Sequence, residues 1–267
     1  MTIRNNSSVL IILTLTLMMV GCVSKTTSAL TDKADPVVAV ERYVALGLEY
    51  IKREDYQRAR KHLKRALEID ETDSSANAAL GLIYHQEGEP VEAELFFLQA
   101  LESDATYTRG RSYYGAFLFA ENRFEESLKQ FSLAAEDIEY GSRGQIFSNI
   151  ALCQIKLGQP ALAIAAYKKT LRLDRFDGRA LTGISELMIQ TNDFEKAQHY
   201  YNRLVRLMRE NEMKHSSQSL WLGIRIARFF KSHDQAQSLE ELLAESYPNS
   251  IEFTELNRSV DLENSDD

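Results

Sequence analysis

The sequence predicts an all-α protein, a right-handed α-solenoid of about six stacked helix pairs, and three observations carry that expectation. The 267 residues include only 4 Pro and 12 Gly, while Ala, Leu, Glu, Lys, Arg and Gln, which lose little rotamer freedom on a helix, are plentiful. Small residues recur at Gly47, Gly81, Gly115, Ala151 and Ser185, at spacings of 34, 34, 36 and 34. Turn-forming clusters fall on the same ruler. Self-similarity at such a period marks a repeat array, in which no unit covers its own apolar face and neighbours must stack.

Taken in chain order, residues 1–21 read as a targeting segment rather than as part of the fold. Arg4 supplies a positive start, residues 9–20 form an apolar run of 12, and the small Gly21 precedes Cys22. That run is too short to cross a hydrocarbon core of about 30 Å, which takes about 20 helical residues. The tetrapeptide Met19-Val20-Gly21-Cys22 resembles the bacterial lipobox, with Met19 in place of the usual Leu. The resemblance implies a lipoprotein signal peptide over 1–21, cleavage before Cys22 and acylation of Cys22. Several acyl chains on one residue make a lasting anchor where a single chain holds only marginally. Val23 stands where lipoproteins retained in the inner membrane commonly carry Asp, which by the same resemblance implies the outer membrane. Residues 22–39 then comprise the lipidated cysteine and a polar, aperiodic tether with a reach of roughly 20–25 Å.

The solenoid is expected over 40–256, with repeats at about 40–73, 74–107, 108–141, 144–177, 178–211 and 217–250. A second small-residue column runs through Ala59, Ala93, Ser127, Ala163 and Ala197, and bulky residues follow it at Leu63, Phe97, Phe131, Tyr167 and Tyr201. Two helices approach to 8–10 Å only where a slim side chain faces a large one, so the columns read as paired contacts. A third column, Ala66, Ala100 and Ala134, loosens to Thr170 and Leu204. Within each pair a turn is expected: Arg53-Glu54-Asp55, Glu87-Gly88-Glu89, Glu121-Asn122-Arg123, Gly158-Gln159 and Thr191-Asn192-Asp193. Pro90 and Pro160 fall at the first position of a second helix, where a missing N–H costs nothing. The sixth pair follows an insertion at 210–216 and keeps Ile224 and Ala236 in the columns. It caps the stack, with a short helix over 250–256 and an acidic disordered tail over 257–267. The in-phase columns, with L-G-L-E-Y from Leu46 and L-G-L-I-Y from Leu80, resemble the tetratricopeptide repeat (TPR).

The net charge of −8 argues against a nucleic-acid partner, which needs a basic stripe to displace counterions from phosphates. His62, His85, His199, His215 and His233 lie far apart, and there is no HExxH, no CxxC and no Gly-rich phosphate loop. No catalytic residue, cofactor, metal or small-molecule substrate is expected. Cys153, within Ile150-Ala151-Leu152-Cys153, reads as a buried small hydrophobe. Function is therefore expected on the face lined by the first helix of each pair. Helical register puts Leu48 and Ile51, Leu82 and His85, Ala116 and Phe119, and Leu152 and Ile155 along an apolar groove suited to an amphipathic helix or strand. Any one of them can instead belong to the core between repeats.

The stretch 218–228, QSLWLGIRIAR, resembles a segment of the type IV pilus biogenesis/stability lipoprotein family, PilW or PilF, which are pilotins of the outer-membrane secretin. The lipobox, six helix pairs, the run 161–174 ending in L-R-L-D, and Tyr247-Pro248 agree with it. The resemblance implies a lipid-anchored outer-membrane protein facing the periplasm, delivered by the lipoprotein sorting machinery. It also implies binding of secretin subunits through a groove on the early repeats and promotion of their multimerisation. Trp221 either seals the solenoid or meets a partner. Arg225 and Arg228, three apart on one helix face, are placed to meet carboxylates of a partner or of the acidic tail. The alternative from a different class is a lipid-anchored TPR adaptor that scaffolds periplasmic cell-wall enzymes.

Overall fold

Six tight turns define how the helices pair. Glu54 (φ 60°), Gly88 (80°), Asn122 (60°), Gly158 (69°), Asn192 (58°) and Lys231 (55°) all adopt the left-handed conformation. In each turn the next amide reaches back five residues: Asp55 N to Tyr50 O at 3.0 Å, Glu89 N to Tyr84 O at 2.9 Å, Arg123 N to Leu118 O at 2.9 Å. Gln159 N to Gln154 O at 2.8 Å, Asp193 N to Met188 O at 2.8 Å and Ser232 N to Ala227 O at 2.9 Å complete the set. These bonds satisfy carbonyls that a helix end otherwise leaves open and reverse the chain.

The computed structural model describes residues 35–265. The targeting segment, Cys22, Val23 and most of the tether lie outside the described residues, as do residues 266 and 267. Thirteen helices and no strands occur among the described residues: α1 (Pro36–Lys52), α2 (Tyr56–Leu67), α3 (Ser74–Gln86), α4 (Pro90–Ser103), α5 (Thr108–Ala120), α6 (Phe124–Ala134) and α7 (Arg143–Lys156). They continue as α8 (Pro160–Leu173), α9 (Gly178–Gln190), α10 (Phe194–Glu210), α11 (Ser217–Phe229), α12 (His233–Ser246) and α13 (Ile251–Ser265). The first twelve make six pairs, so the chain is an all-α solenoid.

Local chemistry explains where the helices start. Asp73 and Asp177 cap α3 and α9 by accepting from Ala76 N and Ala180 N at 2.6 and 2.7 Å. Asp55 and Asp193 cap α2 and α10 in the same way. Pro90 and Pro160 occupy the first turns of α4 and α8. Between pairs, Asp70, Asp104, Asp137 and Asp174 each accept from the backbone N–H two residues on, a turn that competes with further helix.

Packing follows the columns. A β-carbon built on Gly47 would come within 2.6 Å of Leu63, on Gly81 within 2.8 Å of Phe97, and on Gly115 within 3.0 Å of Phe131. Ala59, Ala93, Ser127, Ala163 and Ala197 are all fully buried. Where the third column departs from Ala, the buried Thr170 donates its hydroxyl to Gly144 O at 3.1 Å, so the extra polar atom is satisfied. Tyr167 and Tyr201 do something the columns do not predict. Their rings lie over Gly183 and Gly223 of the following pair and so tie pairs four to five and five to six.

Two boundaries differ from the sequence reading. Helix α1 begins at Pro36, inside the stretch assigned to the tether, with Val37 N donating to Asp35 Oδ1 at 3.0 Å. Helix α10 ends at Glu210, within the fifth repeat as expected, and Met213 N closes its end on Met208 O at 2.8 Å. The helix expected to stop at residue 256 runs on as α13 through Ser265, where a disordered tail was expected from 257. No Gly or Pro interrupts 251–265, and Leu256, buried to 5% exposure, anchors the helix against Leu220, Ile224 and Leu243. Packing of an apolar face outweighs the weak intrinsic preference of an acidic segment.

Candidate interaction surfaces

Of the expected groove residues, Leu48 and Ile51 are partly buried against the cluster of Val44, Leu63 and Leu80. Leu82 packs on Phe97 and Phe117, and the His85 ring meets Phe117 edge-on at 5.4 Å. Phe119 sits edge-on to Phe124 at 5.3 Å. These five side chains contribute to packing within and between pairs while keeping some solvent exposure. Ala116 and Ile155 are exposed, and Leu152 lines a cleft further along. The structure thus joins Leu48 with Ile51 on one cluster and Leu82 with His85 near Phe117, places Phe119 against a third, and leaves Ala116 and Ile155 exposed.

The cleft that includes Leu152 has a volume of about 420 Å³ and is lined mainly by apolar groups, among them Leu204, Leu207 and Met213. Sequence reasoning missed it because it depends on the insertion before α11, which breaks the repeat ruler. Tyr167 also borders it, and burial pushes that phenol up to about 12, as it does Tyr201. Both hydroxyls therefore stay protonated across the ordinary pH range. Cys153 is fully buried with its sulfur 3.3 Å from Ser127 Oγ, and burial raises its thiol, which makes it unreactive.

The C-terminal segment makes several contacts inside the chain. Arg225 Nη1 donates to Glu186 Oε1 of α9 at 2.8 Å, and its guanidinium lies 6.0 Å from the Trp221 ring. Arg228 Nε donates to Glu240 Oε1 of α12 at 2.8 Å and its Nη1 to Ser259 Oγ of α13 at 3.0 Å. Trp221 packs against the cluster of Leu220, Ile224, Leu243 and Leu256. Both arginines thus meet carboxylates on neighbouring helices of the same chain.

A second polar knot, unanticipated from sequence, joins pairs two and three. Arg123 Nη1 donates to both oxygens of Glu94 at 2.8 and 2.7 Å, Tyr114 Oη donates to Glu94 Oε1 at 2.6 Å, and Arg123 Nε and Nη2 donate to Glu126. Arg123, ahead of the opposing cost of burial, holds the Glu94 carboxyl below the usual carboxylate range.

Comparison with known proteins fits this architecture. The tetratricopeptide repeat family matches residues 44–108 and 149–211. The type IV pilus assembly protein PilF of Pseudomonas aeruginosa is 33% identical over 217 residues, covering 81% of this chain and 84% of that protein. An uncharacterized protein of Haemophilus influenzae is 28% identical over 160 residues, covering 60% of this chain and 85% of its own length. Among solved structures, that of P. aeruginosa PilF has a TM-score of 0.78 at 31% identity, covering 84% of this chain and 99% of that one. The crystal structure of PilW, a widely conserved type IV pilus biogenesis factor, has a TM-score of 0.70 at 24% identity, covering 81% and 97%, and bears on the fold alone. One third of the residues retained over four fifths of the chain, on the same helical scaffold, place this protein in the TPR family of type IV pilus biogenesis proteins to which PilF and PilW belong.

Proposed function

We propose that this chain is an outer-membrane lipoprotein pilotin. It is acylated at Cys22, carried outward by the lipoprotein sorting machinery, and held facing the periplasm. It binds secretin subunits of the type IV pilus system and promotes their localisation and multimerisation, acting by binding alone. The observation that carries this reading is the extent of the match to P. aeruginosa PilF, which runs through nearly the whole helical body instead of stopping at the generic repeats. The lipobox-like Met19-Val20-Gly21-Cys22 supports the anchor. No described helix is long and apolar enough to cross a membrane.

The partner surface in this reading is the apolar face of the early repeats, with Leu48, Ile51, Leu82 and His85 at its centre and Phe119, Leu152 and Ile155 extending it. Half-exposed apolar side chains on a rigid scaffold suit an amphipathic helix or a strand of the client. Deleting the gene tests the function. Surface pili are expected to disappear and the secretin to remain monomeric on a gel. Normal secretin multimers, with loss of cell-wall hydrolase control instead, would transfer the protein to the adaptor class. A Cys22→Ala chain is expected to keep its fold and leave the membrane fraction, and Leu48→Glu to lose secretin in a pull-down without losing helicity.

A further inference from the structure

Three junctions between early pairs carry no cation at all: residues 68–73, 102–107 and 136–142 contain Asp and Glu but neither Lys nor Arg. The junction between α8 and α9 departs from them. Arg172, Leu173, Arg175 and Phe176 stand there exposed, Leu173 at 54% and Phe176 at 47%. Residues 168–179 and 203–210 together hold eight cations against three carboxylates, in a chain of net charge −8.

These groups converge. Arg175, Phe176, Arg203, Arg206, Leu207 and Glu210 line one cleft of about 280 Å³. The Arg175 guanidinium lies 4.4 Å from the centre of the Phe176 ring, and Arg203 Nη2 donates to Arg175 O at 3.1 Å, which fixes the two elements together. Several other arginines of the described residues are in ion pairs, among them Arg60, Arg123, Arg225 and Arg228. Arg172, Arg175, Arg203, Arg206 and Arg209 have no carboxylate within ion-pairing distance among the described residues. Glu210 is the single acidic side chain at the cleft. Like charges held this close repel each other unless something anionic is supplied from outside.

We propose that this edge docks on an anionic phospholipid surface, with Arg175, Arg203 and Arg206 receiving headgroup phosphates while Leu173 and Phe176 enter the interface. Guanidinium groups match phosphate oxygens in a forked geometry. The cleft has room for one group of headgroup size. The apolar side chains flank the cations at a loop tip and form no broad apolar patch of the kind a protein interface centres on. Cations next to exposed aromatic and aliphatic side chains are the arrangement that holds proteins at a headgroup boundary.

The full-length protein is reconstituted on phosphatidylcholine vesicles and on vesicles also containing phosphatidylglycerol, and amide hydrogen exchange is followed peptide by peptide. The readout is local to 170–178 and 200–210, so it does not depend on what holds residue 22. Exchange there is expected to slow severalfold only with phosphatidylglycerol and to return to the neutral-vesicle rate at high salt. The slowing should vanish in Arg175→Glu/Arg203→Glu and weaken in Phe176→Ser, with wild-type exchange in α7, α9 and α11 in the absence of vesicles confirming that both variants fold around the cleft. Equal exchange on the two vesicles, or slowing that survives the double reversal, would overturn the proposal. So would slowing produced on neutral vesicles by soluble glycerol phosphate, which would make this a free phosphate site. Protection found in native envelopes but on neither vesicle would assign the cleft to an acidic protein instead.

Discussion

Gly81 lies directly beneath the ring of Phe97: a methyl group at residue 81 would sit 2.8 Å from both Cδ1 and Cε1 of a side chain with no exposed surface. The close approach of α3 and α4 depends on that missing methyl. Gly81→Ala gains roughly 1 kcal/mol of helix propensity but overpacks a full site, which typically costs about 1–3 kcal/mol. A net loss of stability of up to about 2 kcal/mol is expected in urea melts. Gly141→Ala, where nothing lies within 4 Å of the added carbon, is expected to melt like the wild type. Equal stability of the two variants would mean that the column is not a packing requirement.

The left-handed turns give the opposite kind of prediction. Glu54 and Lys231 hold φ of 60° and 55° with full side chains, where Gly88 and Gly158 do the same job without a β-carbon. The left-handed conformation costs an L-residue about 1–2 kcal/mol, part of which glycine returns through greater freedom in the unfolded chain. Glu54→Gly is expected to stabilise by about 0.5–1 kcal/mol, a rise of a few degrees in melting temperature for a domain of this size. A lower melting point would show that the Glu54 side chain contributes more than its backbone strain costs.

The same residues show why so much of the fold was legible. Gly47, Gly81 and Gly115 each oppose a large side chain within their own pair, so the contact repeats at a fixed spacing and the period exposes it. Tyr167 and Tyr201 instead reach Gly183 and Gly223 in the next pair, off the register of the other columns, and nothing in the spacing announces them. Arg225 finds its carboxylate on Glu186, 39 residues back, a separation that no local pattern encodes. The end of α13 was misplaced for a related reason, since an acidic composition suggests fraying while the anchor at Leu256 is a tertiary contact. The apolar positions on the first helices were legible as a face, but their division between solvent and the spaces between repeats depends on how neighbouring pairs pack.

The knot at Glu94 makes a pH-dependent prediction. Its folded carboxyl titrates below the ordinary 4.5 because Arg123 donates to both oxygens. A depressed carboxylate contributes stability that is complete above its unfolded value and is lost as pH falls through the lower folded value. Glu94→Gln, at a side chain 27% exposed, is expected to cost about 1 kcal/mol at neutral pH after allowance for solvent screening. The gap from wild type should close as denaturation curves are taken below pH 4.5. A gap independent of pH would mean that shape, rather than charge, is what Glu94 supplies.

Leu256 is the residue of helix α13 buried in the cluster that it forms with α11 and α12. Its side chain, 5% exposed, fills the space between Leu220, Ile224 and Leu243, while Arg228 binds Ser259 one turn on. Truncating a buried Leu to Ala costs about 2–5 kcal/mol, more than an end helix anchored by Leu256 with the partly buried Phe253 beside it is expected to withstand. Because each pair of a solenoid contacts only its neighbours, the damage should stay near the end. Leu256→Ala is expected to release α13 and raise amide exchange in α11 and α12, leaving α3 to α8 at wild-type rates. Arg228→Ala should loosen the same helices to a smaller degree, since it removes hydrogen bonds at a side chain 26% exposed and leaves the apolar anchor in place. Exchange rising uniformly along all six pairs in Leu256→Ala would show that the array melts as one cooperative block, in which case α13 stabilises the whole solenoid and not only its last pair.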